Sequence, residues 1–90
     1  MYEIVFTDSY VKRAKKFFKK HSDLISRYEK VLRLMEYNPF HPSLRLHKLE
    51  GKLSHFYSVS INMNYRIIIE LIIDNEKIIL INIGSHDEIY

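Results

Sequence analysis

The sequence predicts an α+β fold in two layers, an antiparallel sheet covered on one face by a helical hairpin. Two amphipathic stripes at helical spacing fill the first half of the chain. Runs rich in β-branched residues, separated by short turns, fill the second half. A short apolar stretch precedes the helices, so the expected order is β-α-α-β-β-β. Ninety residues make a single domain, 1–90.

Residues 2–6, Tyr-Glu-Ile-Val-Phe, read as a short strand. Thr7 or Asp8 then stands where a helix cap is needed. Tyr10, Val11, Ala14, Phe17 and Phe18 form one apolar stripe, while Lys12, Arg13, Lys15, Lys16, Lys19 and Lys20 take the opposite face. Ser22 or Asp23 is placed to cap a second helix. There Leu24, Ile25, Tyr28, Val31, Leu32 and Met35 repeat the spacing. A tight turn makes the pair an αα-hairpin. Asn38-Pro39-Phe40-His41-Pro42 ends the second helix, because proline cannot continue it.

Residues 43–54 read as irregular, with Gly51 marking a turn. Strands follow at His55–Ile61, Tyr65–Ile73 and Lys77–Ile83, the last two joined through Asp74-Asn75-Glu76. Short turns make these three an antiparallel meander, to which the first strand adds. Gly84 is expected to break the sheet before the tail Ser85-His86-Asp87-Glu88-Ile89-Tyr90. On the middle strand Tyr65, Ile67, Ile69 and Leu71 share the face suited to the core. Arg66, Ile68 and Glu70 share the open one.

Composition narrows the chemistry. The chain has no cysteine, which removes disulfides, thiolate metal sites and a cysteine nucleophile and suits a reducing cytoplasm. Its opening residues lack a basic stretch followed by an apolar one, so no secretory leader is expected. No apolar run reaches membrane-spanning length. The net charge is only +3, but residues 12–52 hold 12 Lys/Arg against 4 Asp/Glu, and the rest hold 2 against 7. A basic field on one part of a small domain favours a polyanion, either nucleic acid or an acidic protein segment. A solvated helix surface would look the same in composition.

Several side chains can meet on the open face. The loop supplies Arg45, His47, Lys48, Glu50 and Lys52, the next strand Phe56, the central strand Arg66, and the tail His86 and Tyr90. This set fits phosphodiester cleavage in RNA. That reaction needs a base for the ribose 2′-hydroxyl, an acid for the leaving 5′-oxygen, and fixed cations for the charged intermediate. Histidine suits the first two roles and an arginine fork the third. Aromatic rings can hold splayed bases. Arg66 could instead pair with Glu70, and the lysines could be solvated loop charges. His47, His55 and His86 show no closely spaced ligand pair, so neither metal nor cofactor is expected.

Three stretches carry a family resemblance. They are Leu46-His47-Lys48-Leu49-Glu50-Gly51-Lys52-Leu53, the pair Phe56-Tyr57-Ser58-Val59 and Asn64-Tyr65-Arg66-Ile67-Ile68, and the ending Ile83-Gly84-Ser85-His86-Asp87-Glu88-Ile89-Tyr90. Together they resemble the RelE/ParE toxin superfamily, in particular its RelE/YafQ-like branch. The resemblance implies endonucleolytic cleavage of messenger RNA on the ribosome and a cognate antitoxin that binds and blocks the toxin. It further implies a hetero-oligomer with that antitoxin, a monomer when free, and action in the cytoplasm.

By the same resemblance His47 is a catalytic or phosphate-contacting group, Arg66 stabilises the transition state, His86 is the general acid and Tyr90 positions or stacks on RNA. Arg45, Lys48, Lys52 and Phe56 are expected to hold RNA. Where YafQ-like toxins carry a further His and Asp, this chain has Ser60 and Asn64, neither of them a base at neutral pH. His47 is then the first candidate for general base and Glu50 the second. Two alternatives share the fold: a ParE-like inhibitor of DNA gyrase, and a binding module with weakened chemistry. His86 and Tyr90 favour the nuclease, whereas Ser60 and Asn64 keep the weakened module open.

Overall fold

The sheet is set by the run of branched apolar residues in the second half of the chain, and the helices by the two stripes in the first. The computed structural model describes residues 1–89, so Tyr90 lies outside the described residues. The chain forms β1 (Glu3–Phe6), α1 (Asp8–Lys20), α2 (Ile25–Tyr37), β2 (His47–Lys48), β3 (Tyr57–Ser60), β4 (Tyr65–Ile72), β5 (Lys77–Ser85) and α3 (His86–Ile89). Single 3₁₀ turns lie at Ser22–Leu24, Pro42–Leu44 and Gly51–Leu53.

Thr7 caps α1. Its Oγ1 accepts from the Tyr10 amide and donates to the Leu80 carbonyl, both at 3.2 Å, so the cap also ties the helix to the sheet. Neither Ser22 nor Asp23 caps α2. They form the 3₁₀ turn instead, and Leu24 precedes the helix without a side-chain cap bond. The apolar stripes meet the sheet as expected. Tyr10, Phe17, Val31 and Met35 from the helices join Val59, Ile61, Ile67, Ile69, Ile78, Leu80 and Ile83 in one core. Phe17 and His21 both stack near Tyr65, with ring centroids 5.2 and 4.5 Å away. That cluster holds the end of α1 on the start of β4.

The strand order is β1-β5-β4-β3-β2. The α+β architecture holds, with three corrections. β1 joins at the edge parallel to β5, so the sheet is mixed rather than wholly antiparallel. Part of the stretch expected to be irregular is the short strand β2, antiparallel to β3. Gly84 does not break the sheet. It lies inside β5, opposite Arg66.

A bulge explains the geometry around Gly84. Ile69 pairs with Leu80 but Ile68 pairs with Asn82, which leaves Ile81 as the extra residue. An extra residue exchanges the two faces of a strand. Before it Ile78 and Leu80 face the core; after it Ile83 does, and Asn82 and Gly84 turn to the open side. The freed Ile81 carbonyl accepts from Arg13 Nη1 at 3.1 Å, which anchors α1 beside the bulge.

Candidate functional site

Strand register determines which side chains share the open face, because paired residues point the same way and successive residues point oppositely. One row across that face is His47, Ser58, Ile68 and Asn82. The next is Ser60, Arg66 and Gly84. His47 and Arg66 therefore lie on one face, two strands and one two-residue step apart, a backbone separation of roughly 12 Å. Side chains as long as these can approach one phosphate from two sides.

His47 is exposed, and its Nδ1 lies 3.1 Å from the Arg45 carbonyl. A carbonyl only accepts, so Nδ1 carries the hydrogen. The neutral ring then has its lone pair on Nε2. Arg45 provides that carbonyl from a left-handed turn, φ 50°. Its own side chain is exposed. His41 has the opposite arrangement: its Nδ1 accepts from the Ser43 amide at 3.1 Å and sits 2.9 Å from the Ser43 hydroxyl, a role in the turn.

Arg66 is half-buried on β4, between Tyr65, held by the aromatic cluster, and Ile67, which is fully buried. Among the described residues it forms no ion pair with Glu70, the partner that sequence alone left open. Its guanidinium is thus not neutralised by a neighbouring strand residue.

Residues 85–89 are held by a motif that sequence reading overlooked. Ser85-His86-Asp87-Glu88 is a capping box. The Glu88 amide donates to Ser85 Oγ at 3.3 Å, and the Ser85 amide donates to Glu88 Oε1 at 3.0 Å. Those hydrogen bonds, first with the Ser85 amide, hold the Glu88 carboxyl below the usual carboxylate range, with His21 and Lys20 adding smaller attractions. The S-x-x-E spacing was the available signal. α3 packs on β5 and β4, with Ile89 against Gly84. His86 opens this turn two residues beyond Arg66's strand partner. Its side chain is largely exposed, with Nδ1 3.8 Å from Asp87 Oδ1.

The loop residues are placed less tightly. Lys48, Glu50 and Lys52 are exposed. Lys48 pairs with Tyr57 and so starts on the opposite face from His47. Glu50 and Lys52 border a small cleft with Leu49 and Leu53. Phe56 is half-buried, and its carbonyl accepts from the Leu49 amide at 3.0 Å, which sets it on the His47 side. Ser60 Oγ donates to the Asn62 carbonyl at 2.7 Å, and the Asn64 amide donates to Asn62 Oδ1 at 2.9 Å, so both serve the β3–β4 turn. Between His47 and Ile68 lies Ser58, fully buried, with no hydrogen-bond partner for its Oγ among the described residues. Sequence gave no signal for it. No group of three or more His, Asp or Glu side chains gathers as a metal site among the described residues.

A family model described as a bacterial toxin of type II toxin-antitoxin system, YafQ, matches residues 2–90. No curated protein sequence matches the chain. Among solved structures, YafQ from E. coli strain BL21(DE3) superposes with a TM-score of 0.82 at 15% identity, covering 100% of this chain and 99% of that one. YafQ in the E. coli DinJ-YafQ complex gives 0.80 at 15% identity, with the same coverage. The YoeB-YefM complex from Staphylococcus aureus gives 0.72 at 20% identity, covering 96% of this chain and 98% of that one. At these identities the superpositions show the shared fold.

Proposed function

The chain belongs to the YafQ family of bacterial type II toxin-antitoxin toxins, and from that membership we propose that it cleaves messenger RNA, on the ribosome, by general acid–base attack of the 2′-hydroxyl. The observation that carries the proposal is the shared face of His47 and Arg66, with the lone pair of His47 on Nε2. His47 Nε2 takes the proton of the 2′-hydroxyl as its oxygen attacks the adjacent phosphorus. The Arg66 guanidinium receives the charge that accumulates on the phosphorane oxygens. His86 gives a proton to the departing 5′-oxygen. Glu50 is the second candidate for base.

Tyr90 would position the RNA, Phe56 would stack on a base, and Arg45, Lys48 and Lys52 would hold flanking phosphates. These groups supply base, acid and cation from the chain itself, so the proposed step uses no metal. The antitoxin would be an acidic, amphipathic segment that lies on the basic helices or across the open face and forms a hetero-oligomer with the toxin. The free toxin would be monomeric in the cytoplasm. No helix among the described residues is long and apolar enough to cross a membrane.

Induction of the toxin tests this reading. Growth arrest and loss of full-length messenger in a translating extract are expected. The variant carrying Arg66→Ala and His86→Ala should lose both while melting like wild type. Unchanged toxicity in that variant would remove the mechanism. Inhibited gyrase supercoiling with intact messenger would favour the ParE-like alternative. Binding of RNA without cleavage would favour the weakened module.

A further inference from the structure

The apolar stripe of α1 is wider than the sheet covers. Tyr10 and Phe17 are buried in the core, but Val11, Ala14 and Phe18, at i, i+3 and i+7, stay partly exposed on one helix face. They wall a groove of about 530 Å³ that also takes in Tyr28 of α2 and Phe6 at the end of β1. Half of the Phe6 surface is exposed. The reaction proposed above uses none of these residues. The groove lies on the helical layer, and His47 and Arg66 start on the opposite face of the sheet.

The lining asks for apolar company. The Tyr10 and Tyr28 hydroxyls bond each other at 2.7 Å, so neither needs a polar partner from outside. Phe18 stacks against Tyr28 with centroids 4.7 Å apart, and Phe6 lies 6.4 Å from Tyr10. These rings are engaged with one another rather than splayed to receive bases. A groove of this volume has room for roughly three apolar side chains, since a cavity of about 150 Å³ holds one benzene ring.

The rim is cationic. Lys15 and Lys19 line it, and α1 as a whole carries six Lys and Arg against Asp8 alone. Neither rim lysine forms an ion pair among the described residues. Two copies of the chain paired groove to groove would crowd these lysines together, which repels. An apolar hollow edged by unpaired cations complements an apolar ridge edged by carboxylates.

We propose that this groove docks an acidic amphipathic helix of the antitoxin. Apolar side chains at i, i+4 and i+7 of that helix seat among Phe6, Val11 and Phe18, and its flanking carboxylates meet Lys15 and Lys19. The source of the helix rests on the hetero-oligomer proposed above; the chemistry of the groove does not. A helix seated on this layer and RNA on the sheet can be held at the same time.

The probe is a fluorescein-labelled, hydrocarbon-stapled peptide of about 16 residues, with leucine at those three positions and glutamate on both flanks. Anisotropy with the full chain reads its binding. Phe6→Ser should weaken binding about tenfold. Lys15→Glu together with Lys19→Glu should weaken it about as much, and should gain binding of a lysine-flanked peptide that the wild type rejects. Lys77→Glu, opposite Glu3 at the other end of the β1–β5 pairing, should change affinity less than about twofold. Saturating peptide should leave RNA cleavage unchanged.

Both rim lysines are exposed, so the charge swap carries the test if Phe6→Ser does not fold. Equal losses from the lysine pair and Lys77→Glu, with no swap of peptide preference, would overturn the docking site, since only general attraction would remain. Dimerisation of the free toxin that Phe6→Ser abolishes would give the groove to a second copy instead. Oligoribonucleotide binding lost in Phe6→Ser would give it to RNA. Groove-dependent peptide binding by a protein that cleaves no RNA would retain the docking site and remove the nuclease reading. Cleavage by a protein that binds no acidic helix would do the reverse.

Discussion

Arg66 and Gly84 are direct partners across β4 and β5. A Cβ on Gly84 would sit 2.9 Å from Ile89 Cγ2 and 3.4 Å from the Cβ of Glu88. The absent side chain is therefore what lets the terminal helical turn close over the row that holds Arg66. The Ile81 bulge is what turns Gly84 to the same face as Arg66.

Gly84→Ala should push α3 off the sheet. Overpacking of this kind costs about 1–3 kcal/mol. The expected result is a lowered melting midpoint and at least a roughly tenfold loss of RNA cleavage, since the acid is displaced. Calorimetry and a cleavage assay on the same sample check it. Wild-type cleavage in this variant would show that α3 placement is irrelevant.

The capping box makes α3 sensitive to acid. The folded-state value of Glu88 lies below its ordinary value. Its contribution is complete above the ordinary glutamate pKa of about 4.3 and is lost as pH falls through the lowered one. Amide exchange at Ser85 and Glu88 should therefore stay slow down to the ordinary carboxylate range and rise below it. Glu88→Gln should remove most of that pH dependence. An unchanged exchange profile would contradict the box.

Tyr10 and Tyr28 share a hydroxyl–hydroxyl bond of 2.7 Å inside the helical hairpin. Burial pushes both phenols up. The Tyr28 neighbour adds to the rise at Tyr10, and the bond with Tyr10 partly offsets it at Tyr28. Stability tied to the pair is complete below the ordinary phenol pKa of about 10 and falls as pH climbs above it. Tyr28→Phe leaves the Tyr10 hydroxyl buried without its partner, at a cost of about 1–3 kcal/mol. Adding Tyr10→Phe should recover part of the loss. Denaturant melts of the two single variants and the double check the coupling.

Ser58 sits in the His47 row with its hydroxyl buried and, among the described residues, unpaired. Ser58→Ala should leave stability equal or raise it by about 1 kcal/mol, since no bond is lost. Stability gained together with cleavage lost would show that the hydroxyl is held for the reaction. Melting and cleavage measured in parallel separate these outcomes.

Much of this arrangement was legible from residue pattern. The stripes of Tyr10–Phe18 and Leu24–Met35 marked the helices, and alternation at Tyr65–Leu71 put Arg66 opposite the core. The bulge at Ile81 was not legible, because Ile78 to Ile81 is continuously apolar and shows no alternation to interrupt. For the same reason Gly84 read as a strand end rather than as a landing point for α3. The parallel pairing of β1 depends on where the helical hairpin returns the chain, which local pattern does not encode. The pairing of His47 with Ser58 involves a two-residue strand, too short to show alternation. The hydrogen bond from Arg27 to the Ile61 carbonyl joins residues 34 apart, beyond the reach of local pattern.

The chemistry of the RNA ends tests the proposed reaction most directly. Attack by the 2′-hydroxyl leaves a 2′,3′-cyclic phosphate and a 5′-hydroxyl. A single 2′-deoxy sugar at the cut site should then abolish cleavage, and His47→Ala should slow it about 10²–10⁴-fold. Products bearing 5′-phosphates, or cutting that survives the deoxy substitution, would contradict the account.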